Sequence, residues 1–137
     1  MMMKRATRGL ALAIACAALL ITSCSKDNTG PTAQSGQLTV SVSTSGSGGA
    51  AFLITVTGNG ITSPAAANGN YQFFSLVSSN RLTAAVVAPS AITSGALLRF
   101  SVPDVNQASS YDVDLVQVAG ADNALLAAGA FDVNVTN

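Results

Sequence analysis

Apolar and polar residues alternate with a period of two over much of the chain after residue 36, which is the pattern of half-buried β-strands. The clearest run begins at Gln37, where Leu38, Val40 and Val42 alternate with threonine and serine. Further apolar runs begin near Phe52, Tyr71, Arg81, Ala96, Tyr111 and Gly129. The pattern predicts about seven strands.

Clusters of glycine, proline, asparagine and serine separate the runs and predict the turns. The segment Gly58–Gly60 is predicted to be a turn. A phosphate-binding loop would need a helix or a lysine after it, and the sequence there shows neither. Ser63–Asn70 is predicted to be a loop, and Ser78–Asn80 a tight hairpin turn. Pro89 is expected to end the strand that begins at Arg81.

Two stretches near the C-terminus depart from simple alternation. The apolar positions shift after Leu115 to Val116 and Val118, which predicts a β-bulge or a second buried face. Residues 122–128 fit either a short helical turn or a crossing loop. Because no long helical period separates the strands, we expect an all-β fold, a single antiparallel β-sandwich at 37–137. An open barrel is the alternative architecture.

The first 23 residues follow another pattern. Lys4, Arg5 and Arg8 precede an apolar run at 10–21, and small residues come next. At about 1.5 Å per residue, a helix of this run measures roughly 18 Å, well below the ~30 Å of a bilayer's hydrocarbon core. The segment therefore predicts a signal-peptide helix at 1–23 that is removed on secretion and does not span the membrane.

The residues Ile21-Thr22-Ser23-Cys24 at the end of this segment resemble the lipobox of bacterial lipoproteins, which places a branched apolar residue and two small residues before a cysteine. The resemblance implies that a diacylglyceryl group is attached to the Cys24 sulfur and that signal peptidase II cuts between Ser23 and Cys24. It also implies that the new amino terminus is acylated. Two or three acyl chains hold a protein firmly on a membrane, whereas a single chain does not.

The alternative interpretation of Cys24 is an ordinary cysteine after a different cleavage, or half of a disulfide. The only other cysteine, Cys16, lies in the apolar run that would be discarded, so the mature chain holds no partner for a bridge. Ser25 would follow the lipidated residue, which in enteric relatives favours the outer membrane. Residues 24–36 are polar and contain glycine and proline, and we expect a flexible tether there.

Composition limits the partners of the mature protein. The chain of 137 residues without its first 23 has 114 residues, which suits one domain. Three basic residues remain, Lys26, Arg81 and Arg99, against six aspartates, so the formal charge is −3. With no basic patch, we expect no binding of nucleic acid.

Candidate chemistry is sparse. The chain contains no histidine and no glutamate, and the one lysine outside the leader lies in the tether, so we expect no enzyme, no catalytic residue and no cofactor. Asp112 and Asp114 project from the same side of a strand and are the candidate metal ligands. The alternative for this pair is a solvated surface that resists aggregation. The candidate aromatic platforms for a ligand such as a sugar are Tyr71, Phe73, Phe74 and Tyr111. Most of these rings must also fill the core, and we expect Tyr71, at the start of a strand, to be the exposed one.

A second resemblance concerns the strands themselves. The runs that begin at Ala51, Gly95 and Gly129 are similar to the strand-and-glycine rhythm of cohesin-like and other Ig-like sandwich modules. The resemblance implies a fold and transfers no binding residue. We therefore expect a lipoprotein anchored in the bacterial cell envelope through Cys24, in the outer membrane where the cell has one. Its sandwich would be a noncatalytic module that binds an envelope protein or has a structural role, with binding of a surface carbohydrate as the alternative.

Overall fold

A computed structural model describes residues 30–137, and in this range the chain is all-β. Two antiparallel sheets pack face to face as a β-sandwich, which confirms the predicted fold class. The strands of the described range are β1 (Gly36–Ser43), β2 (Gly49–Thr57), β3 (Thr62–Ala66), β4 (Gln72–Ser78), β5 (Arg81–Ile92), β6 (Ser94–Val102), β7 (Asp112–Ala119), β8 (Leu125–Leu126) and β9 (Asp132–Thr136). Short 3₁₀ helices occur at Val105–Ser110 and Ala128–Ala130.

In the two described sheets, only β4–β5 and β7–β8 are neighbours that also follow one another along the chain. One sheet has the order β3-β6-β1-β9, and the other has the order β4-β5-β2-β7-β8. Every pair of neighbours is antiparallel. Strands β3 and β4 lie at one edge of their sheets, whereas β9 and β8 lie at the other.

The core lies between the sheets and follows the period of two in the sequence. In β1, β2 and β5, alternate side chains point inward and are buried, as the pattern predicts: Leu38, Val40, Val42, Phe52, Ile54, Val56, Leu82, Ala84 and Val86. Phe100 and Phe131 also lie in this core, and Phe131 meets Phe52 edge-on with ring centroids 6.1 Å apart. Each fully buried large apolar side chain contributes about 1.5–3 kcal/mol to folding.

The predicted irregularity after Leu115 is a β-bulge. Leu115 pairs with Ile54 of β2, but Leu53 pairs with Gln117, so Val116 is the extra residue and is exposed. A second bulge in β6 has no counterpart in the prediction. It lies opposite Val40–Ser41 and allows both Leu97 and Leu98 to be fully buried.

Two predictions of local structure were wrong. The predicted loop Ser63–Asn70 begins inside strand β3, an edge strand whose sheet neighbour is β6 alone, and which therefore tolerates Pro64. Strand β5 does not end at Pro89 but continues to Ile92. Pro89 lies beyond the last pair with β4, Gln72 with Val87, so its missing N–H costs no hydrogen bond to that strand.

The predicted hairpin turn is present between β4 and β5. Ser78 pairs with Arg81, which leaves Ser79 and Asn80 as a two-residue loop. Ser79 has a φ of 52°, in the left-handed region that such tight turns require. Residues 122–128 were predicted to be a short helical turn or a crossing loop. They contain the short strand β8 instead.

The compact unit that contains the sandwich spans Thr32–Asn137, so it starts inside the predicted tether of residues 24–36. Three hydrogen bonds hold this part of the chain. The Gln34 N–H donates to the Asp104 carboxylate at 3.1 Å, the Val105 N–H donates to the Gln34 carbonyl at 2.8 Å, and the Asn106 amide donates to the Thr32 carbonyl at 3.2 Å. The signal peptide, the cleavage site and Cys24 lie outside the described residues.

Candidate functional site

The candidate metal ligands Asp112 and Asp114 lie on strand β7, on the outer face of the five-stranded sheet. Both carboxylates are exposed, and their neighbours on β2 are Thr57 and Thr55. Thr57 also pairs with Arg81 of β5, so a guanidinium group shares this surface with the two carboxylates. The depression is lined by Thr55, Thr57, Arg81, Asp112, Val113 and Asp114.

This depression is polar and open. Calcium usually takes six to eight oxygen ligands, and over residues 30–137 no group of three or more His, Cys, Asp and Glu side chains is placed to hold a metal ion. A neighbouring cation also opposes the entry of a second one. The arrangement therefore presents charge to solvent, and the metal site at Asp112 and Asp114 stays a prediction.

Tyr111 is a core residue, because only 8% of its surface is exposed. Its ring lies against Gly58 and packs at 5.6 Å, centroid to centroid, from Phe100. Its hydroxyl donates a hydrogen bond to the Asn59 carbonyl. Burial raises the pKa of the Tyr111 hydroxyl above its ordinary value, and the charge of Asp104 raises it further. The ring therefore offers no open face to a sugar.

Tyr71, another candidate platform, is half-buried just before β4 and packs against the core. Its N–H donates to the Asn68 carbonyl at 3.1 Å, which fixes the turn before the strand. The aromatic pairs of the described region are Phe52 with Phe131 and Phe100 with Tyr111, and neither includes Tyr71. The structure thus does not bring the two candidate tyrosines together as a stacked pair.

Strand β4 carries an exposed apolar surface that the sequence analysis did not predict, although it named Phe73 and Phe74 as candidate aromatic platforms. Phe73 faces the core, whereas Phe74 and Leu76 point away from it and are 64% and 69% exposed. Val77 is also exposed. The sequence did contain an indication, because Phe73-Phe74 and Leu76-Val77 place apolar residues on both faces of one strand. A strand of this kind is expected to be covered on both faces.

The outer face of the five-stranded sheet also has a mainly apolar part, formed by β5, β2 and β7. A shallow depression there is lined by Ala51, Phe52, Leu53, Ala85, Val87, Gln117 and Ala119. None of these residues is charged. The two depressions therefore lie at opposite ends of strands β5, β2 and β7, and the charged one is the end with Arg81, Asp112 and Asp114.

Comparison of the chain with protein-family models, with curated proteins and with solved structures found no match. Within the described residues, no helix has the length and apolar character needed to cross a membrane. The class that the fold defines is the antiparallel β-sandwich, with an exposed apolar edge strand as its most distinctive surface.

Proposed function

We propose that this protein is a bacterial envelope lipoprotein, anchored through acylated Cys24, whose β-sandwich is a noncatalytic protein-binding or structural module. The observation that carries the binding role is the exposed apolar edge strand β4. Monomeric proteins usually protect such edges, since an open strand edge pairs readily with another chain. A surface of this kind supports recognition of a protein through its backbone and alternate side chains.

The anchor rests on the sequence that precedes the sandwich. A basic start, a short apolar run and Ile21–Cys24 form the expected order for a lipidated leader. Lipidation gives the chain a lasting attachment, because each buried CH₂ group contributes about 0.8 kcal/mol and two or three chains act together. Ser25 supports the outer membrane as the location in a cell that has one.

The side chains support a noncatalytic role. Residues 24–137 contain no glutamate and no histidine, the one side chain that ordinarily titrates near neutral pH. Carbohydrate binding, the alternative, usually needs a coplanar pair of exposed rings. Tyr111 is buried and Tyr71 is half-buried, which leaves Phe74 as a single exposed ring in the described region and supports protein binding. The partner in this proposal is another protein of the envelope.

The anchor is tested by Cys24→Ala, with Cys16→Ala as the matched control in the same chain. We expect the wild type and Cys16→Ala to fractionate with membranes and to carry a lipid mass on the mature amino terminus. The Cys24→Ala protein should lose both properties. The proposal fails if Cys24→Ala stays with the membrane and is still cut between residues 23 and 24.

A further inference from the structure

We propose that strand β4 pairs antiparallel with β4 of a second copy of this chain, so that two five-stranded sheets join into one of ten strands. The inference rests on the proposed function in one respect, since it takes the sandwich to be a protein-binding module and names its partner. The strand contact itself includes no residue of the lipid anchor, although anchoring in one membrane would concentrate the chains that pair.

Among the edges that the structure describes, β4 alone lacks any protection against pairing. Strand β3 contains Pro64 and an irregular register with β6, and β8 has two residues. Strand β9 is five residues long and starts with Asp132. Strand β4 has seven residues, an unbroken register with β5, and no charge, proline or glycine. Lysine, proline, bulges and short length are the devices that normally block an edge.

The free side of β4 specifies a strand as the occupant. β4 has one neighbour in its sheet, β5, so the backbone N–H and C=O groups on its other side find no strand within the described sheet. Backbone groups in a row are satisfied together by another extended chain. The exposed side chains of Phe74 and Leu76 then gain apolar neighbours from that chain.

The sequence of β4 is complementary to itself. A two-fold axis through Ser75 aligns all seven residues of Gln72–Ser78 with the same segment of the second copy. On the outer face, Phe74 of each copy then lies opposite Leu76 of the other. On the core face, Phe73 lies opposite Val77. Aromatic–aliphatic pairs across antiparallel strands contribute roughly 0.2–1 kcal/mol each, and two such pairs occur on each face.

The charges near β4 do not oppose a second copy at this edge. The mature chain has a formal charge of −3, so two copies repel each other wherever their aspartates meet. Strand β4 is uncharged, and Asp112 and Asp114 lie on β7, three strands away in the sheet. Arg81, which pairs with Ser78, approaches Gln72 of the second copy and no cation. The β4 edge therefore allows contact without like charges in opposition.

The area that β4 pairing would bury indicates a weak dimer. A seven-residue strand is about 23 Å long and a sheet layer is about 10 Å deep, so pairing covers roughly 230 Å² on each copy. A standard interface covers about 800 Å² per partner. The dimer is thus of the weak class, and chains confined to one membrane have the effective concentration that favours it.

The experiment uses the full chain in bacterial membranes, with Ser75→Cys as a crosslinking site on the two-fold axis. Opposed residues in an antiparallel pair have Cβ atoms about 4.5–5.5 Å apart, and a disulfide needs about 3.5–4.5 Å, within reach of a small strand movement. Oxidation should give a covalent dimer of the Ser75→Cys chain on a non-reducing gel. Wild type controls for bridges through the native cysteines, and Ser90→Cys controls for random collision at another exposed site.

A second pair of variants tests the surface itself. Leu76→Lys, added to Ser75→Cys, puts a charge opposite Phe74 and should lower the crosslinked fraction about tenfold, which corresponds to about 1.4 kcal/mol. Leu125→Lys is the matched control, because Leu125 is 68% exposed at the other edge of the same sheet. It should leave the crosslinked fraction unchanged.

Three results would overturn the proposal: Ser75→Cys chains that do not crosslink above the Ser90→Cys level, equal losses from Leu76→Lys and Leu125→Lys, or a Ser75→Cys bridge to a different protein. The last result would replace the second copy but keep the protein-binding role of the proposed function. Failure of the anchor would appear separately, as Cys24→Ala protein that fractionates with membranes and is still cut between residues 23 and 24.

Discussion

Gly58 shows how a single position can be fixed by packing that the sequence does not reveal. The cluster Gly58–Gly60 predicts a turn, and Gly60 indeed has a φ of 72°. Gly58 has no such backbone requirement. It is needed because the ring of Tyr111 lies where its Cβ would be, so the close approach of ring and backbone excludes any side chain.

We therefore expect Gly58→Ala to destabilise the sandwich by about 1–3 kcal/mol, the usual cost of overpacking a filled site. Gly129→Ala is the control, since an added Cβ there meets no atom within 4 Å. Removal of glycine's freedom in the unfolded chain should make Gly129→Ala neutral or stabilising by about 0.4–1 kcal/mol. Urea unfolding of both variants measures the difference, and equal midpoints would show that the Tyr111 ring yields without cost.

The environment of the Tyr111 hydroxyl could not be predicted from the sequence. As a tyrosine before a charged strand, it is a reasonable candidate for ligand binding, and alternation with Asp112 and Asp114 places it on the core side. The alternation does not tell whether the hydroxyl reaches solvent. That depends on the turn at Asn59, 52 residues earlier in the chain, whose carbonyl accepts the hydrogen bond.

At the scale of elements, strands with large alternating side chains were predictable and those without them were not. Strands β1, β2 and β5 were predicted on their correct faces because one side of each is apolar and buried. Strand β3 has only alanine and Pro64 as apolar residues, and β8 has two residues, so neither shows a period. Both exist because a longer neighbour, β6 or β7, supplies the pairing.

The segment at residues 32–34 is a second element whose place depends on distant partners. The Asp104 carboxylate accepts hydrogen bonds from the backbone of Gln34 and from Asn106. The bond from Gln34 lowers the pKa of Asp104 below its ordinary value of 3.8, and the bonds from Asn106 act in the same direction against desolvation. The charged form is thus the one that holds the segment.

The lowered pKa of Asp104 sets the direction in which stability changes with pH. The stability that the lowered pKa represents is fully present above the ordinary value of 3.8 and is lost as the pH falls through the folded-state pKa. We expect the hydrogen-exchange protection of the Gln34 amide to fall over that range in the wild type. Asp104→Asn, which keeps an acceptor oxygen without a titrating charge, should abolish the pH dependence. Asp122→Asn is the control, because the Asp122 carboxylate accepts a hydrogen bond from the Ala124 N–H in a different part of the sandwich. A wild-type profile that Asp104→Asn leaves unchanged would assign the effect to another group.

At the scale of the whole molecule, the fold class was accessible from sequence because the period of two extends over most of residues 37–137, with turns between the runs. The order of the strands was not. Strand β1 lies between β6 and β9, which are separated from it along the chain by four and seven other strands, and nothing in local alternation specifies such distant partners. The unprotected edge at β4 is a property of that order, so it too appears only in the folded chain.

The two sheets share a single core, so a cavity in it should destabilise both sheets together. Leu38 of the four-stranded sheet and Leu82 of the five-stranded sheet are both fully buried in it. Replacing either by alanine should cost about 2–5 kcal/mol, because a cavity opens between sheets that cannot collapse onto each other. Leu125→Ala, at an exposed position, should change the stability by at most about 0.5 kcal/mol.

Urea denaturation followed by circular dichroism and by tyrosine fluorescence measures this effect. If the sandwich unfolds as one unit, Leu38→Ala and Leu82→Ala shift the midpoint of both probes together and leave the slope m unchanged. Two separate transitions in Leu38→Ala would contradict a shared core, since they would mean that the four-stranded sheet is lost while the five-stranded sheet remains. Coincident transitions are expected because each sheet has its apolar face covered only by the other.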